Sequence, residues 1–190
     1  IVSSFCAAVR SFEQYSAVKI DIFVAISMKK IGLISDTHGY LDPKVFQYFE
    51  HVDEIWHAGD IGTLAVLDEL KQFKPTRAVF GNIDGKELRL ETKEFEIFQI
   101  EDKKVLLVHI AGRPYRYNQK AHAKILEEKP DIVVCGHSHI CLVQFDKNIQ
   151  ALWMNPGAFG IKGFHKVRTL LRFEIDGDKV QKLEVIEVNR

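Results

Sequence analysis

The sequence predicts an α/β fold, and three observations predict it. From Ile31 onward, short apolar runs alternate with amphipathic stretches, the pattern of strand and helix units joined in parallel fashion. Prolines punctuate the helical segments where helices begin or stop, at Pro43 and Pro130. Polar side chains able to bind a cation follow the apolar runs directly, at the carboxyl ends of strands where open α/β sheets place their ligands.

In order, strands are expected near Lys30 to Ser35, Glu54 to His57 and Arg77 to Phe80, with helices near Pro43 to Glu50 and Leu64 to Phe73 between them. After Lys86 the texture changes. Glu94 to Ile100 alternates polar and apolar residues and Lys104 to His109 is continuously apolar, so strands are expected to dominate. A helix returns at Gln119 to Lys129, Pro130 stops it, and Asp131 to Cys135 reads as a buried strand. Leu170 to Ile175 and Val180 to Val188 flank Asp176-Gly177-Asp178, a turn signal that closes a hairpin.

The length of 190 residues suits one domain with a substantial core, taken here as residues 28 to 190. Residues 1 to 27 precede Met28-Lys29-Lys30, where a basic start leads into a strand, and they read as an N-terminal extension without the order of a signal peptide. The other reading is a helix packed on the domain through Val18 to Ile26. Lys plus Arg and Asp plus Glu both total 26, so no global charge attracts nucleic acid or an anionic membrane. No apolar stretch approaches the ~20 residues of a membrane span. Cys6, Cys135 and Cys141 form neither a disulfide framework nor a metal motif, so a soluble cytoplasmic protein is expected, with Cys135 a small core residue.

Five strand ends carry ligand-type groups. Ser35-Asp36-Thr37-His38-Gly39 offers a carboxylate and an imidazole on one turn, a mixture that suits a borderline divalent metal. In His57-Ala58-Gly59-Asp60, Asp60 is the natural bridging carboxylate; its alternative role is to cap a helix starting near Thr63, and His57 reads as a hydrogen-bonded wall residue. Gly81-Asn82-Ile83-Asp84 supplies a neutral oxygen from Asn82, with Asp84 a supporting or helix-capping residue. His109 closes its strand, and alone would read as a core histidine. Gly136-His137-Ser138-His139 directs two imidazoles to neighbouring ions and is the strongest single signal. Shared between two ions these groups leave coordination positions open, the mark of a catalytic metal.

The ordered motifs Asp-x-His, Gly-Asp, Gly-Asn-x-Asp, His and Gly-His-x-His, with the late Asn155-Pro156-Gly157, resemble the calcineurin-like metallophosphoesterases, in particular their small single-domain bacterial and archaeal phosphodiesterase branch. The resemblance spans Lys29 to about Gly160. It implies a four-layer α-β-β-α sandwich with two mixed β-sheets. It also implies that Asp36, His38 and His139 hold one ion, that Asn82, His109 and His137 hold the other, and that Asp60 bridges. Asp60, His38 and Asn82 are the catalytic candidates. Two departures stand out: Ile83 occupies the place of a histidine that serves the leaving group in many members, and Ile110 that of a glycine after the fourth motif's histidine.

The expected activity is phosphoester hydrolysis, of phosphodiesters above all, by water activated between two divalent ions. Manganese leads among the metals, with Ni, Fe, Zn or Co fitting the same ligands. His57, Arg113 and Arg116 are outer candidates, the arginines also reading as solvated loop residues. A small phosphoester is the expected partner, with self-association an open alternative and no membrane or nucleic acid. The rival readings are a protein-binding scaffold on the same fold, as in a retromer subunit that resembles this family, and a nuclease. Against the latter stand the neutral charge and the lack of a basic, aromatic-rich tract.

Overall fold

The computed structural model describes residues 28–190, so the expected extension and its Cys6 lie outside the described residues. Twelve strands and four helices follow Met28. In chain order they are β1 (Lys29–Ile34), α1 (Lys44–Tyr48), β2 (Glu54–His57), α2 (Leu64–Phe73), β3 (Thr76–Ala78), α3 (Lys86–Glu91), β4 (Phe95–Ile100) and β5 (Lys103–Val108). Then come β6 (Gly112–Arg113), β7 (Arg116–Tyr117), α4 (Gln119–Glu128), β8 (Ile132–Val134), β9 (Cys141–Asp146), β10 (Ala151–Pro156), β11 (Val167–Asp176) and β12 (Lys179–Asn189). Among the described residues no helix is long and apolar enough to cross a membrane.

Two five-stranded sheets form, ordered β12-β11-β1-β2-β3 and β4-β5-β8-β10-β9. Each is mixed: β1, β2 and β3 run parallel while β11 runs against β1, and β5, β8 and β10 run parallel between antiparallel edges. The parallel segments are covered on both faces, which is why Gly32 to Ile34 and Val105 to Val108 read as unbroken apolar runs.

The layers follow from which residues each face buries. Leu33, Trp56 and Phe173 of the first sheet meet Val105, Leu107, Val134 and Met154 of the second, forming the central core. On the outer face of the first sheet, Ile34 and Ile55 pack with Val45 and Phe49 around α1 and with Leu67 and Leu70 of α2. On the outer face of the second, Leu106, Val133 and Trp153 pack against Ala121 and Ile125 of α4. The result is the four-layer α-β-β-α sandwich that the resemblance implies.

Local chemistry sets the boundaries. Asn118 accepts hydrogen bonds from Lys120 N at 3.0 Å and Ala121 N at 3.3 Å and so caps α4. That helix ends at Lys129 in the left-handed region, because the following Pro130 cannot continue it. Lys74 is extended for the related reason that it precedes Pro75.

Two expectations need correction. The strand expected over Arg77 to Phe80 stops at Ala78, with Val79 making only an isolated bridge to Lys93. A short helix, α3, runs from Lys86 into the stretch where strands were expected to dominate; it buries Leu88, and Arg89 lays its guanidinium 4.2 Å over the Phe80 ring. Cys135 is in the core as expected, where burial pushes its thiol up to about 12.

Candidate metal centre

All seven expected ligands converge at the carboxyl ends of strands from both sheets. Asp36 and His38 follow β1, Asp60 follows β2, Asn82 lies beyond β3, His109 ends β5, and His137 and His139 follow β8. The loops that present them are sharply turned. Asp36, His38, Asp60, His137 and His139 all have φ between 50° and 69°, the left-handed region that non-glycine residues avoid. Such strain gathers at functional sites and persists only where surrounding bonds fix it. Here Asp36 N donates to Gly59 O at 3.0 Å, His38 N to Asp60 O at 2.9 Å and Gly39 N to Ile61 O at 2.8 Å, tying the first two loops together.

The side chains form two groups, Asp36 with His38 and His139, and Asp60 with His109 and His137, each with ligand atoms within 4.8 Å of one another. In the first, Asp36 Oδ1 lies 3.2 Å from His139 Nε2, and His38 Nε2 lies 3.3 Å from the same nitrogen. In the second, Asp60 Oδ1 lies 3.2 Å from His109 Nε2, the Asn82 Oδ1 lies 3.2 Å from that nitrogen, and the His137 ring packs edge-on to His109 with centroids 5.2 Å apart. Asp60 joins the groups, because its Oδ2 is 4.0 Å from His38 Nε2. Asp36 Oδ1 is buried and accepts no hydrogen bond among the described residues. A desolvated carboxylate oxygen facing imidazole nitrogens fits a divalent cation, the partner that offsets such burial. Asp36, Asp60 and His109 form the floor of the site; Asn82 and His137 are exposed at its rim, where a substrate can reach.

Burial holds the His38 and His137 imidazoles below their ordinary pKa, favouring the neutral ligating form over the effect of nearby carboxylates. Burial also opposes ionisation of Asp60 and His109, but their mutual contact outweighs it, moving Asp60 down and His109 up. His109 Nδ1 sits 2.7 Å from Ala58 O and donates to it, which aims Nε2 into the site. Ile110 therefore does not displace the imidazole.

His57 is the wall residue the sequence suggested. Its Nδ1 accepts from Gly59 N at 3.2 Å, and its Nε2 donates to Thr37 Oγ1 at 3.0 Å. Thr37 Oγ1 in turn donates to Ile61 O at 2.9 Å. Full burial drives the His57 pKa down to about 4, so the ring is neutral. The helix-cap alternative for Asp60 fails: its Oδ1 accepts from Ile83 N at 3.1 Å, and Thr63 caps α2 without a side-chain bond. Asp84 caps no helix either. Its carboxylate accepts from Ile61 N at 3.1 Å, Gly62 N at 2.7 Å and Gly81 N at 2.7 Å, clasping the Asp60 and Asn82 loops together. Arg113 and Arg116 face each other across the exposed β6–β7 ribbon.

Two supporting roles were not assigned from the sequence. Ser35 Oγ donates to Asp36 Oδ2 at 2.7 Å. Asn155 is buried, donates from Nδ2 to Gly136 O at 2.8 Å and Ser138 Oγ at 3.1 Å, and accepts from Gly157 N at 2.9 Å, so it braces the His137–His139 turn. The Asn-Pro-Gly triplet was the signal for Asn155; nothing local marks Ser35.

The Calcineurin-like phosphoesterase superfamily domain matches residues 28–178. A probable metallophosphoesterase of Methanothermobacter thermautotrophicus is 31% identical over 155 residues, covering 79% of this chain and 88% of that protein. Another from Methanocaldococcus jannaschii is 34% identical over 149 residues, covering 75% of this chain and 74% of that protein. Among solved structures, a predicted phosphoesterase of Streptococcus pneumoniae shares the fold with a TM-score of 0.63 at 24% identity, over 86% of this chain and 91% of that one. Entamoeba histolytica Vps29 complexed with zinc shares it at 0.63 and 18% identity, over 84% of this chain and 98% of that one. With the family match covering residues 28–178, from β1 through β11, and all seven convergent side chains, this chain belongs to the calcineurin-like phosphoesterase superfamily.

Proposed function

We propose that the protein hydrolyses small phosphoesters, phosphodiesters above all, with two divalent ions: Asp36, His38 and His139 hold one, Asn82, His109 and His137 hold the other, and Asp60 is shared. The observation that carries the reading is Asp60, whose Oδ1 is 3.2 Å from His109 and whose Oδ2 is 4.0 Å from His38, beside the unpartnered Asp36 Oδ1. Manganese is the expected metal, and the mixed N and O donors also suit Fe, Co, Ni and Zn. When bound, the ions supply Lewis-acid activation of water and of the phosphoryl oxygens.

The chain's own residues supply position and access. Asp60 fixes the spacing of the two groups, and Asn82 adds an oxygen without adding charge. A cavity of about 270 Å³ beside Asn82 and His109, walled by Phe80, Phe95 and Ile110 with Lys120 at its edge, gives room for the organic part of an ester. Ile83 is 48% exposed at the rim and offers no proton, so esters with good leaving groups are the better substrates. A cytoplasmic setting agrees with this chemistry.

A chromogenic phosphodiester assayed with Mn²⁺ tests the reading, with Asp60→Asn and His137→Ala as controls. Metal-dependent turnover, reduced in Asp60→Asn by on the order of 10²–10³ as several kcal/mol of charge stabilisation is lost, supports it. A folded, metal-loaded protein without turnover favours the second reading, a protein-binding scaffold. The likeness to Vps29 favours that reading, as do the exposed Ile140 and Phe164.

A further inference from the structure

We propose that His165 is a positioning residue for His139: its Nδ1 lone pair accepts the Nδ1–H of His139 and fixes the tautomer that turns His139 Nε2 toward Asp36 and His38. The inference rests on assigning those three residues to one ion.

His165 Nε2 lies 2.9 Å from Gly160 O. A carbonyl oxygen only accepts, so Nε2 carries the hydrogen and the neutral ring keeps its lone pair on Nδ1. That Nδ1 is buried and has no hydrogen-bond partner among the described residues. An orphaned buried acceptor costs about 1–3 kcal/mol unless something donates to it. A donor beside it is His139, whose ring packs edge-on at 5.3 Å between centroids and 74° between planes.

Gly163 lies beside both Nδ1 atoms. A Cβ there would overlap His139 Nδ1, would stand 2.7 Å from His139 Cε1, and would stand 3.1 Å from His165 Nδ1. Both nitrogens thus border one glycine, whose φ of +125° few other residues adopt. Any side chain at this position would part them.

The loop is built against the site. Gly160 N donates to Asp36 O at 3.0 Å, and a Cβ on Gly160 would stand 2.6 Å from that oxygen. Arg190 Nη1 donates to Gly163 O at 3.0 Å and to His165 O at 3.4 Å.

Metal ligation by His139 favours such an acceptor. His139 Nε2 is the nitrogen that faces Asp36 Oδ1, at 3.2 Å, so it must be the unprotonated one when the residue ligates. The hydrogen then sits on Nδ1, and ligating histidines are generally held by donating that second N–H. The rings, packed edge-on with centroids 5.3 Å apart, are the pair that the proposed bond would join.

Two crossed variants separate this role from simple support of the loop. His165→Gln places an amide N–H where Nε2 was, keeping the bond to Gly160 while deleting the acceptor. His165→Asn keeps an acceptor where Nδ1 was and loses the Gly160 bond. Zn²⁺ titrations against a competing chelator are expected to give two ions per chain in the wild type. In His165→Gln one of the two should weaken about 10- to 100-fold, with a far smaller change in His165→Asn. ¹⁵N NMR of the zinc-loaded protein should show a protected His139 Nδ1–H that disappears in the Gln variant alone.

The reverse ordering, or unchanged zinc affinity and an unchanged His139 signal in His165→Gln, overturns the proposal. Two tightly bound ions with the predicted ordering but no ester hydrolysis would refute the phosphoesterase reading and leave this one standing. A wild-type protein that takes up no zinc refutes both.

Discussion

Replacing His57 with Gln should remove a large part of the protein's acid lability while weakening it at neutral pH. The amide Nε2 of Gln can still donate to Thr37 Oγ1, but the acceptor for Gly59 N is lost, a cost of about 1 kcal/mol at pH 7.5. The pH dependence runs the other way. The pKa of His57 falls from 6.5 to about 4 on folding, because burial disfavours the imidazolium. Below pH 6.5 the unfolded chain therefore takes up a proton that the folded chain refuses. Stability is complete above 6.5 and drains away as the pH falls toward 4. At 1.36 kcal/mol per pH unit the loss reaches about 2 kcal/mol at pH 5 and about 3 kcal/mol at pH 4. His38 and His137, also held low by burial, contribute alike to both proteins and cancel in the difference. The measurement is denaturant unfolding of both proteins in chelator from pH 7.5 to 4. Wild type should begin about 1 kcal/mol ahead and fall behind by pH 5, a relative change equal to about 4–8 °C in Tm for a chain of this size. A gap that stays constant across the range would refute the reasoning, for it would mean that His57 is protonated in the fold or reached by water.

Three further outcomes follow from the same geometry. Gly81→Ala should cost both stability and metal, because its Cβ would overlap Asp60 N and Oδ1; thermal melts and zinc stoichiometry check this, and unaltered binding would contradict it. Asp84→Asn should lower stability by about 2 kcal/mol, since a carboxylate that accepts three backbone N–H groups becomes an amide turning its own N–H toward one of them; urea titration reads the change. Ile83→His should raise turnover of esters with poor leaving groups while leaving activated ones nearly unchanged. A wild-type rate that does not vary with leaving-group pKa would remove its premise.

Much of this arrangement is legible along the chain because the elements that build it are locally determined. Leu64–Phe73 has the expected bounds, since its apolar spacing and the Lys74-Pro75 stop need no tertiary context. The seven expected ligands are readable for a related reason: each follows an apolar run and keeps company with glycine or another turn former. Ligands alone do not mark the residues that hold them. Asp84 reads as a candidate helix cap until Ile61, Gly62 and Gly81 are seen to meet around it, and only tertiary folding brings them there. His165 stands in a polar, glycine-containing stretch with no periodicity to draw notice; burial of its Nδ1 is a property of the packed loop. Helix α3 escapes because its six residues bury only Leu88, too little to impose an amphipathic pattern.

The antiparallel pairing of β1 with β11 ties the earliest described strand to one of the last, Lys29 opposite Ile175 and Leu33 opposite Leu171. On a ribosome β1 can dock on β2 early, but its other edge stays bare until the closing hairpin is made. Phe159 N and Gly160 N, which donate to Ser35 O and Asp36 O, arrive nearly as late. Contacts between such distant segments make folding slow. Ion capture is then expected as a concluding step of biogenesis, and stalling translation before β11 should leave a nascent chain that exposes a sheet edge and retains no metal.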